Sequence, residues 1–249
     1  MPLEDLTNAD FLAQLEAGTL RVAERHDDRT WHVNGQVKQR ILQVFATSDL
    51  AAFEAGTVDK ADLAPRRFRV DAGVRLIPGG SAVRAGAHLA QGVVVCPPAW
   101  VNIGAFVDQN TMIDSHSLVG SCAQVGKRVH LSAGAQLGGV LEPIGNRPVI
   151  IEDDAFIGTQ AAVVEGVIVR RGAVLAPGVH LSKAVTIYDT VHETTHQGEV
   201  PEYAVVVPGS RPAKSDWAKS HGLTLNCPII IKYRDENTNA ALMLEEALR

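Results

Sequence analysis

The sequence predicts a mainly β protein: a parallel β-helix of hexapeptide repeats, with a small α-rich N-terminal part and a C-terminal strand and helix extension. Three observations point there. An aliphatic residue stands at every sixth position from Ile77 through Val83, Leu89, Val95, Val101, Val107, Ile113, Val119, Val125 and Leu131 to Leu137, and the period resumes from Ile151 to Ile187 after a break over Gly138–Ile150. Four residues after every anchor but Leu137, where the break begins, stands a side chain no larger than Val, as at Ala99, Ala105, Ala123, Ala135, Ala161 and Ala173. Residues 77–191 hold 15 of the 22 glycines but only four aromatic residues, Trp100, Phe106, Phe156 and Tyr188.

A period of six matches neither a 3.6-residue helix nor simple strand alternation. It matches a coil of short strands and tight corners, with one large and one small inward residue per hexapeptide. No single unit can bury its apolar face, so stacked neighbours share one column of core. Such a narrow coil has no room inside for Phe or Trp, which explains the scarcity of rings.

In chain order, residues 1–70 read as an α-rich cap. Thr7-Asn8-Ala9-Asp10 has capping-box character ahead of Phe11, Leu12 and Leu15, and Gly18 closes that helix. A second helix is predicted from about Gln36 to Thr47, with Val37, Ile41, Leu42, Val44 and Phe45 as its apolar positions. Over 48–67 the pattern is mixed, with one helical turn expected around Leu50–Ala55. The coil occupies 71–191. The extension, 192–249, is expected to hold a polar loop to Glu202, strands at Tyr203–Val207 and Pro228–Tyr233, and a helix over Thr238–Arg249.

Composition narrows the function classes. The net charge of −5 argues against a nucleic-acid partner. No apolar run reaches the roughly 18–20 residues of a membrane span. The first residues show neither the basic nor the apolar run of a secretion signal, and the three cysteines, Cys96, Cys122 and Cys227, are scattered, so a cytoplasmic, reducing location is expected.

Several segments carry a resemblance beyond the repeat: Trp100-Val-Asn-Ile-Gly-Ala-Phe-Val-Asp108, Thr111-Met-Ile-Asp114, Val119-Gly-Ser-Cys-Ala-Gln-Val-Gly-Lys127, Gly138-Gly-Val-Leu-Glu-Pro143, Val163-Val-Glu-Gly-Val-Ile-Val169 and Ile187-Tyr-Asp189. Together with Gly18-Thr-Leu-Arg-Val-Ala-Glu24, they resemble the tetrahydrodipicolinate N-succinyltransferases, a family of the diaminopimelate branch of lysine biosynthesis. The resemblance implies a left-handed coil with three hexapeptides per turn, an exception to the usual right-handed crossover, and hence about six turns. It implies a homotrimer of parallel prisms in which acyl-CoA and a small amino-dicarboxylate meet between neighbouring coils. No metal is implied.

The same resemblance assigns residues. Asp114 matches the acidic residue beside the substrate amine, which must be neutral to attack a thioester. Arg75 matches a substrate-binding arginine, suited to a carboxylate by its two-pronged geometry. Ser121 joins the substrate side. Gly139 and Gly178 line the CoA groove, and Lys183 and Lys214 are candidates for the CoA phosphates, with Arg211 and Lys232 as further basic residues.

The departures cluster. Where the family has Arg-Ser-Glu-Val-Val-Glu-Gly, this chain has Gln160-Ala-Ala-Val-Val-Glu-Gly166, so a carboxylate gives way to Ala162. Where the family has Asp-Thr-Trp, it has Asp114-Ser115-His116. An imidazole titrates near neutrality, so His116 is a candidate catalytic base alongside Asp114. These changes leave open succinyl or acetyl transfer, the latter in a diverged paralogue making a lysine-derived secondary metabolite of the tabtoxin type, and a non-catalytic binding homologue. Two further motifs read as structural. His192-Glu-Thr-Thr-His196 fits a zinc-protease string but lacks helical character, and Cys122 reads as a buried thiol.

Overall fold

The computed structural model describes residues 2–234, and the expected helix over Thr238–Arg249 lies outside the described residues. The chain winds into a prism with three parallel faces. Two-residue strands pair 18 residues apart, as in Phe106 with Gln124 and Met112 with His130, so each turn takes three hexapeptides. The first face runs through Arg75–Leu76, Val94–Val95, Met112–Ile113, His130–Leu131, Phe156–Ile157 and Val174–Leu175. The second runs through Ala82–Val83, Trp100–Val101, Leu118–Val119, Gln136–Leu137, Ala162–Val163 and His180–Leu181. The third holds His88–Leu89, Phe106–Val107, Gln124–Val125, Ile150–Ile151, Ile168–Val169 and Glu199–Val200.

In these pairs the second residue points inward. Val95, Ile113, Leu131, Ile157 and Leu175 stack in one column, and Ala99, Ala135, Ala161 and Val179 fill the corners, nearly all without solvent contact. Identical shapes repeat at the strand spacing of ~4.8 Å, so one residue type satisfies every turn. Polar residues in the small position stay paired: Thr111 Oγ1 donates to the Gly126 carbonyl at 2.8 Å, and Ser117 Oγ to that of Ser132 at 3.0 Å.

Two anchors depart from the sequence expectation. In the first turn Leu76, not Ile77, pairs with Val95 and packs on the core. The corner that follows is one residue longer than the others, and Gly79 and Gly80 at φ 144° and 93° absorb the difference. At the other end Ile187 is buried, but its strand Thr186–Asp189 leaves the third face and forms a hairpin with Thr194–Gln197. Val200 takes the position opposite Val169 instead. The stretch expected as a polar loop, Thr190–Glu202, therefore holds two short strands, Thr194–Gln197 and Glu199–Val200. The break at 138–150 is an inserted loop: strands on its two sides pair 26 residues apart, as in Gln136 with Ala162.

The N-terminal part holds α1 (Asn8–Ala17) and α2 (Gly35–Thr47). Thr7 Oγ1 accepts the Asp10 N–H at 3.1 Å, and Gly18 at φ 74° ends α1. The turn expected near Leu50–Ala55 is instead a hairpin of Leu50–Ala52 and Val58–Lys60 with a short 3₁₀ segment between them. Phe11, Leu12, Leu15, Val37, Ile41 and Val44 close over Ile103 and Cys122 of the coil. Arg21 lies 3.6 Å above the Phe106 ring, and Trp31 donates to Glu152 at 2.9 Å, so this part covers the third face. At the far end, strands Ala204–Pro212 and Thr224–Tyr233 pair antiparallel and extend the first face, with a short helix α3 (Asp216–Ser220) at their tip.

Candidate active site

Most of the expected site residues fall on two edges of the second face; Arg75 is in a first-face strand, and Lys214 lies past the end of strand Ala204–Pro212. At the corner joining the first face to the second, Asp114, Ser115 and His116 follow strand Met112–Ile113. Asp114 is half-buried, with its N–H on the Leu131 carbonyl at 2.8 Å and its Oδ1 accepting the Ser115 N–H at 2.7 Å. That local hydrogen bond leaves Oδ2 without a part in it. One turn away in the same column is Cys96, whose N–H reaches the Ile113 carbonyl at 2.8 Å. Burial and the Asp114 carboxylate push the Cys96 thiol up, while the Arg75 guanidinium pulls it down. Arg75, Cys96 and Asp114 therefore share one patch. Sequence reading finds the outer two but passes over Cys96; the signal is its place one full turn, 18 residues, before Asp114.

His116 is exposed, with φ 62°. Gly134, Gln160 and Gly178 occupy the same corner position in later turns, at φ 72°, 57° and 73°. The left-handed conformation is thus a property of the column, and His is among the side chains that tolerate it better than most. Gln136 Nε2 donates to the His116 carbonyl at 2.9 Å. Ala162 presents a methyl group on the second face, between Gln136 and His180. The two substituted positions, 160 and 162, lie two turns beyond His116.

The other edge of the second face carries Ser121, Gly139 and Lys183. Gly139 packs directly on Ser121: a Cβ there would sit 2.9 Å from the Ser121 nitrogen, and Val140 N–H donates to the Ser121 carbonyl at 3.1 Å. Only glycine allows that approach. The inserted loop thereby walls a groove of about 760 Å³ lined by Gly138, Gly139, Glu142, Arg147, Glu165 and Lys183. Arg147 donates to the Gly166 carbonyl at 2.9 Å. Lys183 is exposed, and its backbone N–H donates to Glu165 at 3.2 Å. Lys214 lies outside this groove, exposed between the terminal strand pair and α3.

Neighbouring motifs resolve physically. Cys122 is fully buried, and burial pushes its thiol up to about 12 despite Lys38 nearby, so it is no nucleophile near neutral pH. His192 and His196 fall on the hairpin and both meet Asp189, at 3.0 and 3.4 Å. The strand at Thr194–Gln197 excludes the helix that a zinc-protease string requires. Among the described residues no group of three or more His, Cys, Asp and Glu is placed to hold a metal, and no helix is long and apolar enough to cross a membrane.

Two family models match this chain: the tetrahydrodipicolinate N-succinyltransferase N-terminal region over residues 6–47, and the hexapeptide repeat of succinyl-transferase over 148–183. A protein of Nitrobacter winogradskyi named 2,3,4,5-tetrahydropyridine-2,6-dicarboxylate N-succinyltransferase is 46% identical over 247 residues, covering 96% of this chain and 87% of its own. One of the same name from Acinetobacter baylyi is 44% identical over 248 residues, covering 96% and 88%. A crystal structure from Campylobacter jejuni, described as a 2,3,4,5-tetrahydropyridine-2-carboxylate N-succinyltransferase, shares the fold with a TM-score of 0.53 at 15% identity; 90% of this chain spans 62% of that one. With its hexapeptide register and nearly half its residues in common with these relatives, the chain belongs to the tetrahydrodipicolinate N-succinyltransferase family.

Proposed function

We propose that the protein transfers a succinyl group from succinyl-CoA to the amine of a tetrahydrodipicolinate or 2-aminopimelate-like amino-dicarboxylate. The observation that carries this reading is the division of the site: the acid–base residues line one edge of the second face and the groove lines the other. Two neighbouring coils laid side by side bring opposite edges together, which supports a homotrimer; in this reading the coil is left-handed and the protein cytoplasmic. In its layout, 1–70 form the cap, 71–191 the coil and 192–249 the extension.

Arg75 grips a substrate carboxylate in this reading, and Ser121 orients the acceptor. Asp114 takes the proton as the amine attacks the thioester carbonyl, with His116 as a second base at the same corner. Backbone N–H groups at the corners stabilise the tetrahedral oxyanion before the CoA thiolate leaves. Gly139 and Gly178 let the CoA arm lie close to the backbone, and Lys183 and Lys214 meet its phosphates. The chemistry requires no metal.

The test is thiol release by the purified full-length chain given succinyl-CoA or acetyl-CoA with L-2-aminopimelate. Faster release with succinyl-CoA is expected; no release with either donor overturns the reading. Gln160 and Ala162 favour one second reading, an acetyl donor and a lysine-derived secondary metabolite as the end product. A preference for acetyl-CoA in the same assay would establish it.

A further inference from the structure

Lys38 is a charged residue that the chemistry above does not use. It lies on α2 with no solvent exposure. Its ammonium donates to two backbone carbonyls of the inserted loop, Asn146 at 2.7 Å and Pro143 at 3.3 Å. Burial pulls its pKa down, and the Cys122 thiol, next to Ser121 in the chain, pushes it up. Gly35, in the first turn of α2, leaves room for Ile144 of the same loop, whose Cγ2 would lie 3.3 Å from a Cβ there.

Two facts make this more than packing. Enclosing an ammonium among neutral carbonyls is costly. The carbonyls it holds also belong to the segment that walls the groove, with Pro143 and Asn146 themselves in the lining.

We propose that Lys38 is a positioning residue for the acyl donor. It fastens the 138–149 loop between α2 and the Ser121 corner, so the N-terminal cap sets the width of the groove that takes CoA. This rests on the donor-groove reading above. Lys38 touches no substrate; it acts through Pro143 and Asn146.

The test compares the full-length wild type with K38M and K38Q in two measurements: CoA affinity by calorimetry and backbone hydrogen exchange by mass spectrometry. K38M is expected to weaken CoA binding about tenfold and to speed exchange in peptides from 138–147, with coil peptides at 100–131 unchanged. K38Q keeps an N–H donor and is expected to fall between the two. A folded K38M with wild-type CoA affinity and wild-type loop exchange overturns the proposal. If K38M does not fold, K38Q carries the same comparison, and wild-type values in both measurements overturn it. A wild type that binds no CoA sinks the donor-groove reading instead. The exchange measurement then still decides whether Lys38 holds the loop.

Discussion

Asp114 illustrates how much of the proposed site rests on one residue. Its Oδ1 accepts the Ser115 N–H, the side chain is half-buried, and the second oxygen takes no part in that bond. Asp114→Asn keeps an oxygen to accept the Ser115 N–H but removes the proposed proton acceptor, so acyl transfer is expected to fall roughly 10²–10⁴-fold with thermal stability little changed, as steady-state kinetics and a melting curve will show. His116 admits a cleaner probe than alanine. Glycine suits φ 62° better than any side chain, so His116→Gly removes the imidazole without straining the corner. If transfer by that variant equals the wild type, His116 is a corner residue and not a base. Asp114 and Arg75 are legible in the sequence because they sit in motifs. Cys96 between them is not, because proximity across turns depends on the 18-residue register, and the first turn departs from it by one residue.

At the scale of elements, the repeat makes the coil legible from the sequence alone, since one inward column tolerates one class of side chain. The same logic predicts asymmetric tolerance. Ala123→Leu forces extra methyl groups into a filled corner and is expected to cost about 1–3 kcal/mol, while Ile113→Ala opens a cavity costing about 2–5 kcal/mol; chemical denaturation measures both. The hairpin at 186–197 is not legible. Its residues are polar, and Ile187 keeps the hexapeptide phase even though its strand leaves the face. What draws it away is Asp189, buried with Tyr233 Oη at 2.7 Å, His192 Nδ1 at 3.0 Å and the N–H groups of Val191 and His192. These partners lie up to 44 residues away, beyond the reach of local periodicity.

At the scale of the whole molecule, Asp189 ties the end of the coil to the C-terminal strand, and pH should reveal that tie. Burial alone would raise its pKa, but the donors around it outweigh burial and hold it well below the usual carboxylate range. The folded state thus binds this proton less readily than the unfolded one. Its stabilisation is complete above the ordinary carboxylate pKa of about 4 and is lost on acidification. Melting temperature is expected to fall more steeply below about pH 5 in the wild type than in Asp189→Asn, measured by circular dichroism across pH. The 26-residue spacing across the inserted loop carries a different consequence. A coil with three faces per turn has a phase: each six residues gained or lost rotates everything beyond by one third of a revolution. Eight surplus residues, the excess of that 26 over the regular 18, loop outward and leave the phase untouched, so the turns beyond the loop stay aligned with Asp114 and His116. Deleting one hexapeptide between Leu118 and Gln136 would keep every core contact type yet carry Gln160, Ala162 and Gly178 round to another face. In this architecture, the candidate site is encoded as much by the number of hexapeptides between its residues as by the residues themselves.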